Sequence, residues 1–300
     1  MPFVIFLFGI ELIMDAKELL KKVRKIEIKS RKLTRQIFAG EYYSAFKGKG
    51  MAFSEVREYQ YGDPVKNIDW HVTARFNHPY IKIFDEEREL TVMLLIDVSG
   101  SKKFGTQVQF KQDMSTEIAA VLSFSAIQNN DKIGVIFFSD KVEKFIPPKK
   151  GKKHILRIIL ELLNFEPESN RTNLSEALKY LTNALKKRCS AFIISDFLET
   201  DFEEALKIAS NKHDIAALKI YDIREKELPN IGLAYLKDSE TGKMNWVDTS
   251  SKKTRDMYSK WWNENDIKAK EIFKKCKVDS TNIKTDEDYV QPLIKLFKMR

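Results

Sequence analysis

The chain has 300 residues, 43% of them hydrophobic and 11% aromatic, which is enough to bury a large core. Its 32% charged residues form no low-complexity tract, and no repeat of fixed period runs through it, so a disordered chain, a collagen-like fibre and a solenoid are excluded. Net charge is +9, yet residues 1–50 carry eleven Lys or Arg against five Asp or Glu, so two thirds of the excess lies at the start of the chain.

The chain opens on an apolar run from Pro2 to Met14, broken by Glu11. It is shorter than the ~20 residues that span a bilayer, and it lacks the basic flank and small-residue cleavage site of a signal peptide. The expectation is that it precedes a working start near Met14, with a weak membrane anchor as the alternative. A helix follows from Asp15 to Gln36, carrying Lys21, Lys22, Arg24, Lys25, Lys29, Arg31, Lys32 and Arg35. A solvated face is the expected reading of such a charge run, ahead of binding to phosphates, anionic lipid or an acidic protein.

From Gly40 to Glu89, Gly48, Gly50, Gly62-Asp63-Pro64 and Asn77-His78-Pro79 punctuate short alternating runs such as Phe53–Tyr59 and Tyr80–Phe84. This is the grammar of strands and turns, and it predicts a small antiparallel β-element. Within it Arg57, Glu58, Asp63, Asp69, Trp70 and Arg75 form a candidate docking surface. The competing structural reading pairs Arg57 and Arg75 with Asp69 or Glu58 and puts Trp70 in a core.

From Leu90 the pattern alternates buried strands with helices. Leu90–Ile96 is almost continuously apolar, as a parallel strand covered on both faces should be. Strands are predicted over 132–138, 141–147, 191–195 and 215–221, and helices over 107–128, 154–163, 174–187 and 202–211. The tail reads as strands near 232–236 and 246–247, a helix over 250–275, a strand over 280–283 and a closing helix over 289–298. The polar stretch at Asp222 is unassigned. One of Trp261 and Trp262 is expected to be buried. The predicted fold is α/β: a doubly wound, mostly parallel Rossmann-like sheet with helices on both faces, plus a small N-terminal antiparallel β-element. The expected organisation is an apolar start and basic helix over 1–38, a β-rich element over 39–89, the main domain over 90–224 and a C-terminal α/β extension over 225–300.

In an open parallel sheet ligands bind beyond the carboxyl ends of the strands. After the first strand comes Asp97-Val98-Ser99-Gly100-Ser101; Arg171-Thr172 precedes a helix; Asp196 follows the 191–195 strand. These are hard oxygen donors suited to Mg²⁺, or to another divalent ion such as Mn²⁺ or Ca²⁺. Two carboxylates only balance a divalent charge, so the ion could still accept an acidic residue from a protein partner. Lys102, Lys103 and Arg171 are adjacent cations that would oppose the metal if they point inward. The competing reading is that the two aspartates cap helices or hold loops.

The D-x-S-x-S string Asp97-x-Ser99-x-Ser101, with Thr172 and Asp196 in later loops, resembles the metal-ion-dependent adhesion site of von Willebrand factor A domains. A longer match, Gly48-Lys49-Gly50-Met51-x-Phe53-x-Glu55-Val56-Arg57-Glu58-Tyr59, then Gly62-Asp63, then Ile68-Asp69-Trp70-x-Val72-Thr73-Ala74-Arg75, resembles the signature of the domain of unknown function 58 (DUF58) family. Asp85–Glu89, Leu228-Pro229 and Asp238-x-Glu240-Thr241-Gly242 extend it. The resemblance implies a von Willebrand A-like domain, frequent genomic association with a MoxR-type AAA+ ATPase, and a role in chaperone-like assembly or maturation of other proteins.

Two cysteines, Cys189 and Cys276, have neither zinc-ligand nor disulfide-framework spacing, and the four histidines are scattered. A cytoplasmic protein is expected, acting as a metal-dependent binding module and not as an enzyme. The alternatives are a Mg²⁺-dependent phosphohydrolase, disfavoured because Ser99 has no recognisable base, and nucleic-acid binding through the basic helix, disfavoured because no aromatic stacking residues interleave with it.

Overall fold

The structure, a computed structural model, describes residues 3–4, 16–33, 51–86, 90–100, 111–238 and 244–300. The chain divides into two units, Met1–Phe46 with Thr91–Arg300, and Lys47–Leu90. The first elements are strand β1 (Phe3–Val4) and helix α1 (Ala16–Leu33).

In the Lys47–Leu90 unit, β2 (Met51–Glu58) and β3 (Tyr80–Glu86) pair antiparallel with a register shift between Phe53 and Glu55. The excursion between them holds a 3-10 turn (Val65–Asn67) and a helix, α2 (Trp70–Phe76), that strand grammar does not reveal. Capping makes this helix: the Asp69 carboxylate accepts from the His71 and Val72 amides at 3.0 and 3.3 Å, and Asn77 closes it in the left-handed region at φ 55°. Two readings need correction here. Trp70 is not core but 67% exposed, because a seven-residue helix with no buried residue offers it no interior. Arg57 pairs not with Asp69 or Glu58 but with Asp63 at 2.8 Å, since the Gln60–Asp63 turn folds that carboxylate back beside the strand end; Asp69 pairs with Lys82 at 3.3 Å. Glu58 and Arg75 are exposed.

The other unit continues with β4 (Thr91–Asp97), α3 (Lys111–Gln128), β5 (Lys132–Phe138), β6 (Val142–Lys149), α4 (Lys152–Leu163), α5 (Leu174–Ala184), β7 (Ser190–Ser195), α6 (Glu203–Lys212) and β8 (Asp214–Tyr221). Then come α7 (Ile223–Lys226), β9 (Leu233–Asp238), β10 (Met244–Asp248), α8 (Lys252–Lys275), β11 (Asp279–Lys284) and α9 (Val290–Lys298). Six strands form one sheet in the order β11-β8-β7-β4-β5-β6, parallel except for β6 at its edge. The chain leaves β4 for β5 on one side and later returns to β7 on the other, so the carboxyl end of β4 is the topological switch point.

Alternation sets the two faces. Met93, Leu95, Ile136, Phe138, Ala191 and Ile193 point to one side, under α5, α6 and α8. Phe192 points to the other and meets Phe297 of α9 edge-on at 6.2 Å, while α3 and α4 lie together with α1 packed against both. Helix α3 is buried on most of its circumference, and several of its hydroxyls bond back one turn: Ser115 to the Lys111 carbonyl at 2.8 Å, Thr116 to that of Gln112 at 2.7 Å and Ser123 to that of Ala119 at 2.6 Å. Helix α1 buries Val23, Ile26 and Ser30 and leaves Lys21, Arg24 and Lys25 to solvent.

The tail is integral to this architecture: β11 completes the main sheet beside β8, and β9 pairs with both β10 and β1. Trp262 is the buried member of the tryptophan pair, its ring tilted against that of Tyr221 at 5.5 Å, while Trp261 is partly buried against Tyr258. Among the described residues no helix is long and apolar enough to cross a membrane.

Candidate functional site

Asp97 ends β4 and is only 1% exposed. One carboxylate oxygen accepts from the Ser99 amide at 2.9 Å and the other from the Ser195 hydroxyl at 2.8 Å, so the carboxyl end of β7 orients the aspartate of its neighbour. Ser99 is buried as well. The Gly100 amide donates to the Asn170 carbonyl at 3.3 Å and the Asn173 amide to the Ser139 carbonyl at 2.8 Å, which ties the Thr172 loop between the ends of β4 and β5. Thr172 itself is half-buried. Ser101, with Lys102 and Lys103, lies outside the described residues.

Asp196 follows β7 directly, and the next residue, Phe197, turns the chain in the left-handed region at φ 49°. A phenylalanine holds that conformation because its ring is locked among Phe202 and Phe273, at 6.0 and 5.0 Å, and its amide donates to the Ser195 hydroxyl at 3.2 Å.

Sequence reasoning missed several members of the cluster. Lys111, at the start of α3, is 2% exposed; its ammonium donates to Asp196 Oδ2 at 3.0 Å and to Glu225 Oε1 at 2.6 Å. Burial alone would push this lysine down, but the charges of Asp196 and Glu225 outweigh it and the net direction is up, so it stays an ammonium. Glu225 is pushed up by burial, only partly offset by Lys111. The unassigned stretch at Asp222 is the N-cap of α7, a capping box in which Asp222 accepts from the Arg224 amide at 2.9 Å while Glu225 accepts from the Asp222 amide at 3.0 Å. Thr285, past β11, donates to Asp222 at 2.7 Å. A buried polar chain thus runs across the carboxyl ends of β4, β7, β8 and β11.

Glu199 is the other addition. Its carboxylate accepts from the Leu174 amide at 3.0 Å, at the N-terminus of α5 and two residues past Thr172. Burial pushes it up, and the charges of Asp201 and Asp97 add to that. Lys111 had one legible signal, a position in helical register with the buried Met114, Ser115 and Ile118; Glu199 had none.

Among the described residues no three His, Cys, Asp or Glu side chains form a metal centre by themselves. The Asp97 and Asp196 carboxylates lie at the carboxyl ends of adjacent strands, and the Thr172 loop is tied beside them through backbone hydrogen bonds; carboxylate and hydroxyl oxygens are donors of the type that suits Mg²⁺.

At the far end of β7, Cys189 Sγ lies 3.3 Å from His213 Nδ1, a pairing that the scattered sequence positions conceal. It is not an activated thiolate: burial pushes the thiol up to about 12 and the imidazole down to about 4. Cys276 is also buried and pushed up, chiefly by burial. Neither cysteine is expected to react with iodoacetamide at pH 8 until the protein unfolds; mass spectrometry of native and urea-treated protein reads this, and a native alkylation product at Cys189 would refute it.

The family model described as "Protein of unknown function DUF58" matches residues 55–267. The chain is 27% identical over 290 residues to the Uncharacterized protein Rv1480 of Mycobacterium tuberculosis, covering 95% of this chain and 91% of that one, and equally to a Mycobacterium bovis protein. Among solved structures it is similar to the conserved hypothetical protein BatB from Bacteroides thetaiotaomicron, with 14% identity and a TM-score of 0.43 over 70% of this chain and 99% of that one. It is also similar to the SpRpn10 VWA domain, with 13% identity and a TM-score of 0.38 over 71% and 95% of the two chains.

Proposed function

This chain belongs to the DUF58 family and folds as a doubly wound α/β domain, and from that footing we propose that it is a von Willebrand A-like, cytoplasmic, divalent-cation-dependent protein-binding module and not an enzyme. The observation that carries this reading is the convergence of Asp97, Ser99, the Thr172 loop and Asp196 at the switch point of the sheet, where an open α/β fold takes its ligands. Mg²⁺ is the cation that suits these oxygens, with Mn²⁺ or Ca²⁺ as substitutes, and Ser101, two residues after Ser99 in the sequence, is the further hydroxyl we include. Bound there, the ion supplies a Lewis-acidic position open to an acidic side chain of a partner. The chain's own residues hold the site in shape: Ser195 and the Ser99 amide fix the Asp97 carboxylate before any ligand arrives.

The partner we favour is a MoxR-type AAA+ ATPase acting in assembly or maturation of other proteins. Support comes from family membership and from the absence in this sequence of a G-x-x-x-x-G-K-S/T phosphate loop, so that ATP-driven work would come from another chain. Calorimetric titration with Mg²⁺, on wild type and Asp97→Ala, is the test, followed by pull-down of the ATPase with Mg²⁺ and with EDTA. The expected result is saturable binding in the wild type, lost in Asp97→Ala, and ATPase capture that EDTA abolishes. Capture of equal strength in EDTA would overturn metal dependence.

A further inference from the structure

We propose that the exposed cationic face of α1 and the lysine-rich turn between β6 and α4 form one surface that docks on an anionic phospholipid membrane. The charge of the chain is concentrated there. Helix α1 carries eight Lys or Arg against two Glu, and residues 149–163 carry five against one, a net +10 where the whole chain nets +9. The two stretches lie far apart in sequence, and the fold joins them. Helix α1 packs against α3 and α4, Lys29 pairs with Glu117 of α3 at 2.5 Å, and Glu27 pairs with Lys152, the first residue of α4, at 2.7 Å. Around that contact Lys21, Arg24 and Lys25 of α1 are exposed, as are Lys149, Lys150 and Lys153 at the turn. The described glutamates of the two stretches are engaged within the surface: Glu27 is shared between Lys152 and Arg31, the latter at 3.2 Å, and Glu161 between Lys144 at 2.5 Å and Arg157 at 3.6 Å.

What lies among the cations selects the kind of polyanion. On α1, Lys21, Arg24, Lys25 and Ile28 recur at the spacing of one helix face, and Ile28 is 61% exposed. On α4, Lys153, Arg157 and Leu160 repeat the pattern, and Leu160 is 37% exposed. A phospholipid surface meets both chemistries: its phosphates take the ammonium and guanidinium groups, and the boundary between headgroups and acyl chains takes the aliphatic side chains. A nucleic acid would leave the aliphatic groups without a partner, and neither stretch holds a Phe, Tyr or Trp on which a base could stack. The surface shares no residue with the Asp97 cluster.

The test is flotation of the full chain with vesicles of equimolar phosphatidylglycerol and phosphatidylcholine, against vesicles of phosphatidylcholine alone, with circular dichroism melting to read folding. Binding is expected to the anionic vesicles only, and it falls as ionic strength rises. The exposed pairs Arg24→Gln/Lys25→Gln and Lys149→Gln/Lys153→Gln are each expected to weaken it about tenfold or more. Lys179→Gln/Lys260→Gln removes as much charge from exposed positions on α5 and α8, which cover the other face of the sheet, and is expected to change binding less than about twofold. Ile28→Ser leaves the charge untouched and is expected to weaken vesicle binding about threefold. Equal losses in the control pair and the two surface pairs would show attraction by net charge alone and overturn the assignment. Equal binding to anionic and neutral vesicles overturns it as well. So does tighter binding to a DNA duplex than to the anionic vesicles at the same ionic strength, indifferent to Ile28→Ser.

Discussion

Asp266→Ala is expected to destabilise the main unit by on the order of 3–5 kcal/mol, the cost of removing one partner from a buried ion pair. Asp266 on α8 accepts from the Lys219 ammonium at 2.8 Å, and Lys219, in the middle of β8, has a side chain only 2% exposed. The ammonium also lies 4.6 Å from the centroid of the buried Trp262 ring, so the lysine pins the long helix to the sheet through a carboxylate and an aromatic face. Without the carboxylate, the ring is what remains among the described partners to offset a desolvated positive charge. Lys270, the other partner of Asp266 at 2.6 Å, is exposed and loses little. The double variant Lys219→Met/Asp266→Ala is expected to recover part of the loss, because Met is close to Lys in volume and no buried charge is then left unpaired. Urea denaturation of the single and double variants measures this; a single variant within about 1 kcal/mol of wild type would show that the pair is not buried as described.

The same pair predicts a pH dependence. Burial by itself pushes the Asp266 carboxyl up, but the hydrogen bonds and charges of Lys219 and Lys270 outweigh it, and the net direction is down. A carboxyl lowered in the folded state contributes stability that is present above its unfolded value, ~3.9, and is lost as pH falls through the lowered folded value. Asp266→Ala should therefore flatten the acid limb of the stability profile.

Gly134→Ala is the second large effect, expected at about 3 kcal/mol, the upper end of the overpacking range. A Cβ at Gly134 would sit 2.7 Å from Met93 Sδ and 2.9 Å from both the Ile146 carbonyl oxygen and the Pro148 nitrogen. The thioether can move, but the other two atoms are backbone of β6, and the β5–β6 register already shifts between Ile133 and Val135. Relief requires the edge strand to move outward. A glycine inside an otherwise apolar strand is the sequence sign of such a close approach. Thermal and urea unfolding read the loss, and a shift below about 1 kcal/mol would mean that β6 accommodates a methyl group.

Much of the fold was legible because the strands are buried on both faces. Runs such as Leu90–Ile96 and Ile133–Phe138 are almost continuously apolar, and the predicted 132–138 strand coincides with β5. Helices such as α4 and α5 have one apolar stripe each, and the starts of α5 and α8 are marked by side-chain caps: Asn173 accepts from the Glu176 amide at 3.2 Å and Ser251 from the Thr254 amide at 3.4 Å. Helix α2 was illegible because no buried face imposes a period on it; its cause is the Asp69 cap.

Sequence by itself determined the doubly wound α/β class, the alternation of the main-sheet strands with their long helices, and the fact that Asp97 and Asp196 lie at or directly after strand ends, since periodicity and strand-end position are local properties of the chain. Only the tertiary structure decided which polar groups meet. Lys111 reaches Asp196 and Glu225, which lie 85 and 114 residues away, and Ser195 reaches Asp97 across 98. Such pairings follow from the lateral order of strands in the sheet and from the need of every buried charge for a partner, and neither is written in the spacing of residues along the chain.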